Sequence, residues 1–208
     1  MSTLLEVEFI RRRERLLPSR ACVLIIDVQE RLAAAMPPAV LEQIVKNTQI
    51  LITTAQTFMM PIVVSQQYPK GLGQTVSALA SSLETAQANG VDVYRFDKTD
   101  FSCVDAPEFG ELPPAAKIGA LMAREQWLVA GMETHVCVYQ TVRDLCGPAC
   151  AVHVVADAVA SRTKANWRAG LDLCRSVGAM VTTTETIALD LTRKAGSDQF
   201  KAISKAIK

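Results

Sequence analysis

Histidine is nearly missing from this chain. Only His135 and His153 occur in 208 residues, which excludes the usual imidazole-rich zinc centres. No CxxC pair is present. The six cysteines are scattered, and only Cys146 and Cys150 are near neighbours, so neither a zinc ribbon nor a disulfide-stapled miniprotein is expected. The thiols are accordingly expected to be reduced and the chain intracellular. No run approaches the ~18 apolar residues of a membrane span, so no membrane partner is expected. An excess of one charge is also absent: 22 basic and 21 acidic residues leave a formal +1. They are interspersed, without the basic stripe a phosphate backbone requires, and no nucleic-acid partner is expected. No Pro-, Gly- or Ser-rich linker and no internal repeat divides the sequence. What remains is a chain that is half apolar, long enough to bury one large core without metal or disulfide support.

Arg11, Arg12, Arg13 and Arg15 cluster near the start. A secretory signal places its apolar block after the charges, and here the order is reversed. A mitochondrial presequence is poor in acids, whereas Glu6, Glu8 and Glu14 are present in this stretch. Residues 1–20 are therefore expected to be an N-terminal extension, 21–208 a single domain, and the location cytoplasmic rather than mitochondrial.

Six short apolar segments recur: CVLIID from Cys22, PIVVS from Pro61, VDVYRF from Val91, WLVAG from Trp127, AVHVVAD from Ala151 and GAMVTT from Gly178. Continuous apolar runs of this length fit strands buried on both faces. Between them, helical spacing predicts helices over 38–58, 113–124, 134–145, 163–177 and 184–194. The alternation predicts an α/β fold, a mainly parallel six-stranded sheet with helices on both faces.

Ligands of open parallel sheets bind outside the carboxyl ends of the strands. Three reactive side chains fall at such ends: Asp27 after the first strand, Lys98 after the third and Cys137 after the fourth. A cysteine in a first helical turn is expected to have a lowered thiol pKa. Asp27 is placed to accept the thiol proton and Lys98 to stabilise the anions. Such a set suits acyl transfer. Each residue also has a plainer reading: Cys137 as core filling, Asp27 as a turn cap, Lys98 as a solvated loop residue.

The segments LIIDVQERL, SQQYPKGLG, FDKTDFSC and VAGMETHVCVYQTVRDL, followed by VHVVADAVASR, resemble the isochorismatase-like cysteine hydrolase superfamily, in particular its isochorismatase-domain subgroup. The resemblance runs from about Ala21 to Thr192 with the motifs in family order. It implies a three-layer α/β/α sandwich and a catalytic set of Asp27, Lys98 and Cys137. It also implies a cis peptide between Met132 and Glu133, and an oxyanion hole formed by the backbone amides of Glu133 and Cys137. The nicotinamidases of the superfamily hold a metal with histidines and an aspartate after the second strand. QQYPKGLGQT contains neither, so neither metal nor cofactor is expected. The resemblance further implies thiol-dependent hydrolysis of a small amide or related C–N bond through a thioester-type intermediate. The expected partners are a small-molecule substrate and further copies of the chain.

Two other functions stay open: an interaction protein that keeps the fold with little turnover, and a vinyl-ether hydrolase that does not need Cys137. Gln29, Gln67, Tyr68 and Phe101 are candidates to line the pocket, or loop packing. Cys103 is either a redox partner of Cys137 or a spectator. His135, two residues from Cys137, points to a different helix face, which disfavours a Cys–His dyad. His153 alternates with valines and is expected to be structural. Lys194, Lys201, Lys205 and Lys208 mark a helical tail whose apolar Phe200, Ile203 and Ile207 dock on something, a neighbouring subunit being one option.

Overall fold

The apolar run Ala21–Ile26 forms β1, with all six residues buried, because helices cover both of its faces. Val23 and Ile25 enter one core with Ile44, Leu51 and Leu83. Cys22, Leu24 and Ile26 enter the other with Trp127, Val138 and Leu171. A strand with two dry faces cannot alternate polar and apolar residues, so the sequence pattern is continuous.

A computed structural model describes residues 15–111, 124–147 and 150–208. Arg11, Arg12 and Arg13, and all but the last residue of the helix expected over 113–124, lie outside the described residues. The described part of the expected N-terminal extension is tied to the domain. Leu16 is buried, its amide donates to Asp190 Oδ2 at 3.0 Å, and Leu17 donates to Gln126 Oε1 at 2.8 Å.

After β1 come α1 (Glu30–Ala34), α2 (Pro38–Phe58), β2 (Ile62–Gln67), α3 (Pro69–Leu72), α4 (Ser77–Ala88), β3 (Val93–Lys98) and α5 (Pro107–Gly110). Then follow β4 (Gln126–Met132), a π-helical turn (Thr134–Val138), α6 (Tyr139–Leu145), β5 (Ala151–Ala160), α7 (Lys164–Ser176), β6 (Met180–Thr182), α8 (Thr184–Thr192) and α9 (Asp198–Ile207). The sheet order is β3-β2-β1-β4-β5-β6, and every pairing is parallel. Helices α2, α4, α8 and α9 form one outer layer; the π turn, α6 and α7 form the other. The result is a three-layer α/β/α sandwich.

Helix α4 is not among those the spacing predicts. It buries only Leu79, Leu83 and Ala86, and its many small residues blur the apolar stripe. The tail forms α9, started by the Ser197 hydroxyl accepting from the Phe200 amide at 3.0 Å. Its buried Ile203 packs within the same chain, where α9 lies on α2 and α8. Helix α9 therefore docks on its own domain.

Candidate active site

The strand order reverses at β1: β2 and β3 lie on one side, β4 to β6 on the other. In open parallel sheets the crevice at this switch point is the natural ligand site. Asp27 leaves β1 there in a left-handed conformation, φ 51, which aspartate tolerates better than most side chains. Register brings the neighbouring strand ends level with it, Ile26 pairing with Ser65 on β2 and with Gly131 on β4.

Asp27 is fully buried. The Ser65 hydroxyl donates to its Oδ1 at 2.7 Å and Lys98 Nζ donates to Oδ2 at 2.8 Å. Lys98 also donates to Gln67 Oε1 at 2.7 Å and faces the carbonyls of Asp100 and Phe101, each at 3.2 Å. Burial works against the lysine's charge. The negative groups around it, Asp27 foremost and then Cys137 and Cys103, outweigh that and hold its pKa above the ordinary lysine value.

Cys137 reaches the same point from β4. Gly131, at φ 122, runs so close to β1 that any side chain there would overlap the Ile26 carbonyl. The Met132–Glu133 peptide is cis, as the family resemblance implies. The chain then enters the π turn. The Glu133 carbonyl accepts from the amides of Val136 at 3.0 Å and Val138 at 3.3 Å. Among the described residues, the Glu133 and Cys137 amides make no backbone hydrogen bond outside the regular elements.

The Cys137 thiol is buried and interacts with the Asp27 carboxylate. Burial, and next the Asp27 charge, push its pKa well above the usual thiol value, with Lys98 opposing incompletely. This departs from the lowered pKa expected of a first-turn cysteine. The dry surroundings and an adjacent carboxylate exceed what partial charges at a helix end provide.

Two further contacts fix the turn. Arg162 holds the Glu133 carboxylate, its amide donating to Oε2 at 2.9 Å and its Nε to Oε1 at 3.1 Å. Gly170 of α7 lies against the turn, where an added Cβ would stand 2.7 Å from the His135 amide nitrogen and from the Thr134 carbonyl carbon. His135 Nδ1 pairs with Ser161 Oγ at 3.0 Å, so that ring nitrogen faces β5 rather than the thiol.

The four candidate pocket residues separate into two groups. Gln29 is fully buried. It bridges loops, donating to the carbonyls of Gln67 at 3.0 Å and Gly73 at 2.7 Å and accepting from the Gln67 amide at 2.7 Å. Gln67, besides accepting from Lys98, donates to the Thr99 carbonyl at 2.7 Å. Tyr68 and Phe101 instead expose 54% of their surface. Tyr68 lines a cleft of about 520 Å³ with Asp97, Thr99 and Glu108, and that cleft reaches Lys98. Cys103 is a buried neighbour of the set: its amide donates to Thr141 Oγ1 at 2.9 Å, and its thiol interacts with Ser65 and Thr141. Burial and then Asp27 raise its pKa to about 11.

Sequence reasoning passes over Ser65, Arg162 and Gly170. Each carries a signal: a hydroxyl directly after the apolar run of β2, a cation at the carboxyl end of a buried strand, and an isolated glycine inside a helical pattern, which commonly marks close packing.

The isochorismatase domain family profile matches residues 21–186. The chain is 36% identical over 201 residues to the secreted isochorismatase effector Isc1 of Phytophthora sojae, covering 95% of this chain and 89% of that protein. It is 32% identical over 194 residues to mouse isochorismatase domain-containing protein 2A, covering 93% and 85% respectively. Among solved structures, the MAR1 ribonuclease of Caenorhabditis elegans superposes with a TM-score of 0.78 at 30% identity, covering 93% of this chain and 92% of the other.

Proposed function

This chain belongs to the isochorismatase family, and from that membership we propose that it is a cysteine-dependent hydrolase of a small amide or related C–N bond. One observation carries the reading: the buried Cys137 thiol interacts with the Asp27 carboxylate, whose Oδ2 is held by Lys98 at 2.8 Å. A protonated thiol beside a carboxylate, in a dry site, is the resting state of a nucleophile that is activated by general-base proton transfer as it attacks.

The raised thiol pKa sets the order of events. The proton stays on sulfur until substrate arrives, and Asp27 takes it as sulfur attacks the carbonyl carbon. The oxygen then carries the charge and lies against the Glu133 and Cys137 amides. Asp27 returns the proton to the departing nitrogen as the C–N bond breaks, leaving a thioester on Cys137. Water, deprotonated by Asp27, attacks the thioester; the acid leaves and the proton returns to sulfur. Lys98 holds Asp27 in position through the cycle.

The test is release of ammonia or amine from a panel of small amides by the parent protein and by Cys137→Ala, with mass spectrometry for the acyl-enzyme. The expected result is an acyl adduct on Cys137 and at least about a thousandfold loss of turnover in the variant. Undiminished amide turnover by Cys137→Ala overturns the nucleophile. Cysteine-independent cleavage of a vinyl ether, or of an oligoribonucleotide as the nematode neighbour's name suggests, replaces the substrate class. Binding of these compounds with no turnover of any of them supports an interaction protein on a hydrolase fold.

A further inference from the structure

A second cleft lies on the other side of the catalytic turn, at the carboxyl end of β5. Opposite Val129–Gly131 of β4, β5 advances from Val154 to Val159, so it carries extra residues that bulge away from its partner. Bulges of this kind redirect a strand end. Here the bulge stands between the first turns of α2 and α7 and leaves a cleft of about 350 Å³, within the range of small-molecule sites.

The walls of the cleft are apolar: Val40 and Ile44 from α2, Val159 from β5 and Trp167 from α7. The indole is fixed, its Nε1 donating to the Ala156 carbonyl at 3.1 Å. Two cations, Arg162 and Lys164, complete the lining. Glu133 takes the Arg162 backbone amide and Nε. Among the described residues neither terminal amino group of that guanidinium makes a hydrogen bond. Glu133 thus holds the planar fork in place while leaving its outer edge free, the geometry that grips a carboxylate with two parallel bonds. Lys164 makes no ion pair among the described residues. Asp157 of the same strand β5 is engaged by the Thr184 amide and hydroxyl at 2.8 and 2.9 Å.

We propose that this cleft binds a small apolar carboxylate, its hydrocarbon or aromatic body against Val40, Ile44, Val159 and Trp167 and its carboxylate on Arg162 and Lys164. The walls and the fork are held by contacts already present in the chain, so binding orders little further structure. The site does not depend on the hydrolase reading, since it needs no turnover. The carboxylate is either part of the reacting molecule or a separate ligand. Because Arg162 also holds Glu133, in either case it binds one contact away from the turn that carries Cys137.

The experiment titrates the full chain with hexanoate and benzoate, by calorimetry and by indole fluorescence. Trp167→Phe assigns the optical signal, since Trp127 is the only other tryptophan. Saturable binding is expected, with hexanamide and benzamide at least about tenfold weaker because they lose the charged hydrogen bonds. Lys164→Gln and Arg162→Gln should each weaken the carboxylates about tenfold and leave the amides unchanged. Lys164 is exposed and makes no ion pair among the described residues, so its variant keeps the test valid should Arg162→Gln fold poorly. Absence of saturation, equal affinity for acid and amide, or unchanged affinity in Lys164→Gln overturns the proposal. Alkylation of Cys137 in the presence of hexanoate then identifies the source. Slowing places the carboxylate on the reacting molecule, and no slowing makes it a separate ligand.

Discussion

Lys98 Nζ lies 2.8 Å from Asp27 Oδ2, with both side chains wholly withdrawn from solvent. Each charge compensates the burial cost of the other, so neither residue can be removed alone without leaving an unpaired buried charge. We expect Lys98→Met and Asp27→Leu each to lose about 3–5 kcal/mol of stability, and the double variant to lose clearly less than their sum. Urea unfolding of the four proteins measures the coupling. Additive losses would mean that the pair does not interact in the folded chain.

The same pair sets the reactivity of Cys137. The Asp27 carboxylate raises the thiol pKa and Lys98 lowers it. Alkylation of Cys137 should therefore keep rising with pH beyond the range of an ordinary thiol. Asp27→Asn removes both the charge and the acceptor, which moves the profile to lower pH; Lys98→Met moves it to higher pH. On the proposed mechanism turnover should fall in both, because Asp27→Asn lacks the proposed base and Lys98→Met frees it from its position. Mass-spectrometric alkylation rates from pH 6 to 10 check the signs. Opposite shifts would show that Asp27 does not face the thiol.

The sheet was legible in the sequence because strands with two dry faces leave uninterrupted apolar runs, and Asp27 and Cys137 follow such runs. Lys98 instead ends the partly exposed edge strand β3. Less visible was what converges through register. Ser65 pairs with Ile26 only once β2 lies beside β1, and Arg162 meets Glu133 only through the β4–β5 pairing, where Met132 faces Ala160. The direction of the Cys137 pKa was not legible either. Its position suggests a helix-end effect, whereas burial and a carboxylate from another strand decide it. Gln29 shows the same limit: nothing in LIIDVQERL distinguishes a glutamine facing substrate from one bonded to two backbone carbonyls.

Buried His153 gives a pH dependence remote from the site. Burial lowers its pKa to about 4, with Asp190 partly opposing, so the folded chain holds it neutral. Unfolding lets it take up a proton below its ordinary value of 6.5. Its contribution is present above that pH and is lost as pH falls from 6.5 towards 4. The full loss is on the order of 3 kcal/mol. His153→Leu should flatten this limb of the stability–pH curve while leaving the plateau near pH 8 within about 1.5 kcal/mol. An unchanged acid limb in the variant would assign the loss to other groups.

Gly170 couples α7 to the turn carrying Cys137 by contact alone. On helix propensity, Gly170→Ala should stabilise by up to about 1 kcal/mol. Against that, the new methyl would stand 2.7 Å from the His135 amide nitrogen and 2.8 Å from the Thr134 carbonyl oxygen. Both are backbone atoms that cannot rotate aside, and overpacking of this kind costs about 1–3 kcal/mol. The second effect is the larger, so we expect a lower melting temperature. Because the atoms that must yield belong to the turn carrying Cys137, the rate of Cys137 alkylation should change as well. Gly110→Ala, where an added Cβ meets nothing within 4 Å among the described residues, serves as the control and should alter neither quantity appreciably. Should Gly170→Ala instead melt higher with Cys137 kinetics intact, α7 can retreat without disturbing the turn. The placement of the nucleophile would then rest on β4 and Gly131 alone.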